Sequence, residues 1–149
     1  MLFILNIINA VYLGILLNVS FIITPVLFKF LSKNIAGKIA GEIFYYINLI
    51  GIFTLILSLC ILYISKIKKI FIDSNMIKIN QITCLVNILL VILSLIINNY
   101  IKIIKSSNIP NLIKLFPIMH GVSSIIYLIL IFSTLFLCFN CFRLNKNKA

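Results

Sequence analysis

The sequence predicts an all-α, polytopic membrane protein, a four-transmembrane-helix antiparallel bundle. Three observations carry that expectation. Hydrophobic residues make up 63% of the 149 residues and charged residues only 10%, with a mean hydropathy of +1.25. Soluble domains lie near about 45–50% apolar and about 25% charged. A chain of this length has too little interior to hide the excess, so its solvent is lipid. Apolar runs near the roughly 20 residues of a membrane helix recur at 2–28, 43–64, 82–101 and 118–142. Nearly all the charge falls between those runs, in 29–42, 65–81 and 102–117. The length suits one domain, read as 1–149, and no repeat or extramembrane domain interrupts it.

The first run is read as a retained span. No basic stretch precedes it, it exceeds the apolar core of a signal peptide, and no A-x-A-type site follows. Thr24-Pro25 lies near its end, where a proline removes an N–H donor and bends the last turns. Lys29 and Lys33 then mark the interface, where long basic side chains snorkel. Asn34 is placed to cap a new helix, with a helical lead-in from Ile35 to the second run. Gly37 and Gly41 form G-x-x-x-G, and Ala36 and Ala40 repeat the spacing one position earlier. Small residues at that interval let a second backbone come close in lipid. That reading makes Gly37 and Gly41 more sensitive to a large side chain than Gly14. The alternative gives the glycines to a ligand, because close backbone approach also suits a bound anion. Lys38 and Glu42, one turn apart, are expected to form a weak interfacial pair. The third run needs no further signal. The fourth opens at Pro117, a favoured early helix position, with His120 in its first turn.

The formal net charge of +11 would suggest nucleic acid in a soluble chain. Here the lysines punctuate apolar runs, so no nucleic-acid partner is expected, and the lipid bilayer is. All but one of the 13 basic residues are Lys, and Ile and Asn are frequent, as in AT-rich bacterial coding. The expected location is the bacterial inner membrane. Lys66, Lys68, Lys69, Lys78, Arg143, Lys146 and Lys148 lie on the side of the termini. Lys29, Lys33, Lys38, Lys102, Lys105 and Lys114 lie opposite. That bias places both termini in the cytoplasm.

Two motifs resemble a known family. Pro25-Val-Leu-Phe28, then Ala36-Gly37, Gly41, Phe44 and Tyr46, is similar to P-x-L-F…A-G-x-x-x-G-x-x-F-x-Y. His120-Gly121-Val-Ser123-Ser124 is similar to an L-H-G-x-S motif that opens the last helix. Both patterns resemble the transmembrane-protein-205-like family, catalogued as domain of unknown function 4149. Met119 stands where that family has Leu, and Tyr127 where an Asn often follows. The resemblance implies a small integral membrane protein of unestablished biochemistry and covers nearly the whole chain. Some relatives are discussed in connection with metal or drug tolerance. No activity is carried over from them.

Polar residues form stripes at helical spacing. In the fourth run, His120, Ser123, Ser124, Tyr127, Thr134, Cys138 and Cys141 share about a third of the circumference. In the third, Asn80, Thr83, Asn87, Ser94 and Asn98 align. In the second, Gly37, Gly41, Asn48, Gly51, Thr54 and Ser58 align more loosely. The first puts Asn6, Asn9, Ser20 and Thr24 on one side, and Gly14, Asn18 and Pro25 on another. Lipid does not satisfy these groups, so the stripes face inward. They serve either interhelical hydrogen bonds or a polar cavity.

No acid or base lies in the middle of a run, and the only acids are Glu42 and Asp73. Paired-carboxylate catalysis has no partners to use, and no catalytic residue is named. His120 is the only histidine, so a bis-histidine haem cannot form within one chain. It is read as a hydrogen-bonded structural residue, or as one ligand of a metal. Cys138-Phe-Asn-Cys141 offers two thiols to a soft metal, or packs as small apolar filler. Cys60 and Cys84 are isolated. No metal site or cofactor is assigned.

The leading expectation is a non-enzymatic membrane protein that handles a small solute or metal ion, or acts in membrane homeostasis. The alternatives are a cofactor-dependent membrane redox protein and an accessory subunit of a membrane complex. A homo-oligomer is also open. Antiparallel spans put the end of the first beside the starts of the second and fourth. Pro25, Phe28, Gly37, Gly41 and His120 therefore share one interfacial layer, with Ser123, Ser124 and Tyr127 lining it inward. Any functional centre is expected there.

Overall fold

Backbone amides in lipid find no water, so each apolar run closes its hydrogen bonds internally as a helix. The computed structural model describes residues 2–67, 74–106 and 115–146. Helix α1 (Leu2–Asn18) continues through a π-helical segment, Val19–Ile23, into α2 (Thr24–Phe30). Helices α3 (Lys33–Ile67), α4 (Ser74–Ser106) and α5 (Phe116–Lys146) follow. Among the described residues, four helices are long and apolar enough to cross a membrane: Phe3–Phe30, Lys33–Ile67, Asn75–Lys105 and Phe116–Arg143. Each expected run falls inside one of them, apart from Leu2 at the start. The observed helices run several residues further because their polar ends still complete turns outside the core. At about 1.5 Å per residue, the 35 residues of α3 exceed a hydrocarbon core of about 30 Å. Its first turns, with Lys33 and Lys38, can therefore stand at the interface. Lys68, Lys69, Asp73, Lys114 and Lys148, which entered the charge reading, lie outside the described residues.

Helix α4 packs against α3 and α5, and α1 packs against α5 and α3. This closes a four-helix bundle with α1 diagonal to α4. Its outside is apolar all round: Phe53, Leu89, Phe132 and Ile82 are more than half exposed. A surface of that kind belongs against lipid. The interior holds Leu5, Leu16, Leu55, Leu62, Val91, Leu130 and Leu137, each almost fully buried.

The polar stripes point largely inward, although Asn18, His120 and Ser124 of those stripes are exposed. Asn9, Asn48, Thr54, Ser58, Asn80, Asn87, Ser94 and Thr134 are buried. Several join helices directly. Ser58 donates to Asn9 Oδ1 at 3.2 Å, linking α3 to α1. Asn87 Nδ2 donates to Thr134 Oγ1 at 3.4 Å, and Asn80 Nδ2 lies 3.9 Å from Cys141 Sγ, both linking α4 to α5. Gly51 is the glycine of close approach, since a Cβ there would overlap the Tyr12 phenol.

Two local expectations are corrected, and a third takes a specific form. Helix α3 begins at Lys33, with Ala36 N donating to Ser32 O at 2.9 Å, so Asn34 lies inside the first turn and does not cap it. Glu42 pairs with Lys102 across the bundle at 2.8 Å, in place of Lys38 on its own helix. The disturbance at Thr24-Pro25 takes the form of the π segment just before it, with Thr24 N bonded to Val19 O. A proline carries no N–H, so a carbonyl in the preceding turn loses its donor, and a wide turn redistributes the remaining bonds.

Candidate functional site

One end of the bundle does not close. A cavity of about 710 Å³ opens there, bounded by all four spans. Its position follows from the topology. The π segment and α2, the start of α3, the end of α4 and the start of α5 all reach the same level.

The first span contributes Ser20, Phe21, Thr24 and Phe28. Ser20 lies inside the π segment and Thr24 directly after it, and both residues line the cavity. Helix α3 contributes Lys33, Asn34, Gly37, Ala40, Gly41 and Phe44. No atom lies within 4 Å of where a Cβ on Gly41 would stand. At Gly37 the neighbour is Lys105 Nζ, 2.6 Å from that point. The G-x-x-x-G pair therefore does not seat a neighbouring helix backbone, which corrects the packing expectation. These glycines form part of a concave wall.

Helix α4 contributes Asn98, Ile101, Ile104 and Lys105. Lys105 Nζ lies 5.0 Å from the centroid of the Phe116 ring, within reach of a cation–π contact. Helix α5 contributes Phe116, His120, Ser123, Ser124, Tyr127, Leu128 and Ile131. His120 stacks on Phe116 with centroids 5.9 Å apart and planes 7° from parallel. Ser124 Oγ donates to His120 O at 3.0 Å, a bond inside the helix.

Tyr127 forms the floor. Its hydroxyl donates to Asn48 Oδ1 at 2.9 Å, and Asn48 Nδ2 donates to Ser94 Oγ at 3.1 Å. This chain ties α5, α3 and α4 together beneath the cavity. The Tyr127 ring also packs on Phe44, centroids 4.5 Å apart. Above that floor three polar atoms are left unbonded. Ser20 Oγ, Thr24 Oγ1 and Asn98 Nδ2 are buried with no hydrogen bond of good geometry, although the Asn98 side chain lies beside the Tyr127 hydroxyl. Among the described residues neither Lys33 nor Lys105 has an ion-pair partner, and no acid lines the cavity.

Of the residues expected from sequence, Phe28, Gly37, Gly41, Phe44, His120, Ser123, Ser124 and Tyr127 line this one cavity. Pro25 and Gly121 are exposed beside it, Ala36 is buried in the core, and Tyr46 is 61% exposed on the outer surface. Lys33, Lys105, Phe21 and Phe116 were not singled out for the site. The spacing carried a signal for Lys105: seven residues after Asn98, it falls on the same face of α4. The sequence reading counts it only among the basic residues on the side opposite the termini.

The cysteines lie elsewhere. Cys84 and Cys141 are buried, Cys138 is half-buried and Cys60 exposed, all as free thiols. Among the described residues no group of three or more His, Cys, Asp or Glu comes together in an arrangement that could hold a metal ion.

The family model of a domain of unknown function, DUF4149, matches residues 7–102. That segment runs from α1 to near the end of α4 and supplies three of the four walls of the cavity. No curated protein and no solved structure matches the chain.

Proposed function

The chain belongs to the DUF4149 family, and from that premise we propose that it is a non-enzymatic membrane protein that holds a small amphipathic solute in this cavity. The observation that carries the reading is the set of three buried, unpartnered groups on the cavity wall: Ser20 Oγ, Thr24 Oγ1 and Asn98 Nδ2. A polar group left unbonded in an apolar medium costs several kcal/mol, on the order of a lost hydrogen bond or more. Elsewhere Tyr12 Oη, Asn80 Oδ1 and Asn87 Oδ1 are also buried without a partner, but none of them lines this cavity. A solute that brings acceptors to this end would offset the cost. The volume of about 710 Å³ suits this, because ligand cavities span roughly 300–1,000 Å³.

Native mass spectrometry of detergent-purified protein tests the reading. A small molecule retained by the wild type and lost from Gly41→Leu, whose side chain would enter the cavity, is the expected result. A wild type that carries nothing, and takes up nothing from an added lipid extract, defeats it. The same spectrum counts subunits, and so tests the further possibility of a homo-oligomer or a membrane-complex partner on the apolar outer surface.

The chain is placed as a single membrane domain in the bacterial inner membrane with both termini cytoplasmic. The Lys, Ile and Asn usage and the seven-against-six distribution of basic residues support that placement.

A further inference from the structure

We propose that the solute is an anionic glycerophospholipid, with its phosphate between Lys33 and Lys105 and its ester carbonyls at Ser20, Thr24 and Asn98. This rests on the reading of the cavity as a ligand site and names the ligand's class. Three independent features of the wall carry it.

The first is charge. Lys33 opens α3 and Lys105 closes α4, so two cations stand at the mouth with no acid among the lining residues. Glu42 is held by Lys102 outside the cavity. Two cations beside a low-dielectric wall attract an anionic headgroup on either face of the membrane.

The second is hydrogen-bond polarity. Two of the unpartnered groups are hydroxyls and the third is an amide NH₂, which donates only. Each is enclosed in the wall as it stands and gives a proton to an acceptor once its side chain turns toward the cavity. Asn98 lies seven residues below Lys105 on one face of α4, roughly 10 Å deeper at 1.5 Å per residue. The ligand therefore presents an anion at the mouth and neutral acceptor oxygens further in. A glycerophospholipid has that order, phosphate first and ester carbonyls beneath it.

The third is the remaining surface. Phe21, Phe28, Ile101, Leu128 and Ile131 make the rest of the wall apolar. A free phosphate or a sugar phosphate has nothing to place there, whereas an acyl chain does.

The test uses full-length protein in neutral detergent and three probes: dimyristoyl phosphatidylglycerol, dimyristoyl phosphatidylcholine, and the ether-linked phosphatidylglycerol of the same chain length. Native mass spectrometry titrations give the affinities. The wild type should prefer phosphatidylglycerol over phosphatidylcholine by about tenfold or more at low salt, as expected for two interfacial lysines, and less at high salt. The double variant Lys33→Gln/Lys105→Gln should lose that preference. The matched pair Lys29→Gln/Lys38→Gln, exposed at the same end outside the cavity, should keep it. The ester lipid should bind severalfold tighter than the ether lipid, and Asn98→Leu should narrow that gap.

Equal binding of the two headgroups, an equal loss in both double variants, or equal binding of ester and ether lipids would each overturn the proposal. Gly41→Leu separates this from failure of the cavity reading, and its thermal midpoint confirms that it folds. If it abolishes binding while the headgroups are not distinguished, the cavity is a ligand site and only the lipid assignment falls. If it leaves all lipid binding intact, the cavity is not the site and both fall.

Discussion

The two ends of the bundle use the same side chains to opposite effect. Around Asn9, Tyr12, Gly51 and Ser58, the helices close. Ser58 bonds to Asn9 across the interface, and the Tyr12 ring fills the space over Gly51. At the other end Gly41 has nothing within 4 Å of its missing Cβ, and Ser20, Thr24 and Asn98 line the cavity with polar atoms that are buried and unpartnered. Glycine, serine and asparagine recur at both ends. What differs is whether a large residue on the facing helix fills the gap. A polar stripe therefore becomes glue or a binding wall according to what stands across from it, and not according to its own composition. Asn48 sits at the boundary, bonded to both Tyr127 and Ser94. The closure at one end is itself imperfect, since the Tyr12 hydroxyl and the amide oxygens of Asn80 and Asn87 are buried without a partner.

Substitutions can break this contrast in order of size. The largest effect belongs to the glycines. Gly51→Leu must displace the Tyr12 ring, and overpacking of that kind costs about 3 kcal/mol. Gly41→Leu meets open space and should stay within about 1 kcal/mol of wild type, helped by the better helix propensity of Leu. Denaturant or thermal unfolding in micelles measures both. Equal losses would erase the distinction between the ends. Next, Asn48→Ala removes two interhelical hydrogen bonds under the cavity and should cost about 1.5 kcal/mol. It should also increase dye access to a cysteine placed at Ser123. A cost below a few tenths would show that the floor is not held by this residue.

Smaller effects sharpen the contrast. Asn98→Leu removes a buried amide whose NH₂ has no partner, so stability should change by less than about 0.5 kcal/mol, or rise. Asn87→Leu, at the closed end, breaks a bond to Thr134 and should cost about 0.6 kcal/mol. If Asn98→Leu proved the more damaging of the two, Asn98 would be structural glue and not part of an open wall. The smallest effect is expected at Glu42→Gln. Its pair with Lys102 is about half exposed on both sides, and such pairs contribute a few tenths of a kcal/mol. A larger loss in unfolding measurements would mean that the pair anchors the ends of α3 and α4 at the cavity mouth.

Much of this molecule was legible before its structure. Run length and the need to close backbone hydrogen bonds in lipid dictate four spanning helices. Short connections make neighbours antiparallel, which puts Phe28, Gly37, Gly41 and His120 at one level although they lie far apart in sequence. Helical periodicity turns Asn48, Asn87 and Ser94 inward, because lipid offers them no partner. These are one-helix or nearest-neighbour properties, and the sequence determines them alone.

The tertiary structure decided what faces what. Gly37 and Gly41 carry the spacing of a close helix contact, yet Gly51 makes that contact, because Tyr12 lies opposite it and open space lies opposite Gly41. Lys38 is one turn from Glu42, yet Lys102 reaches it from α4. Lys105 has the sequence context of an interfacial lysine, yet its ammonium lies over Gly37 and near the Phe116 ring. Each outcome depends on the rotation and register of one helix against another. Those are set by the summed packing of many side chains, so the sequence of either helix alone does not contain them.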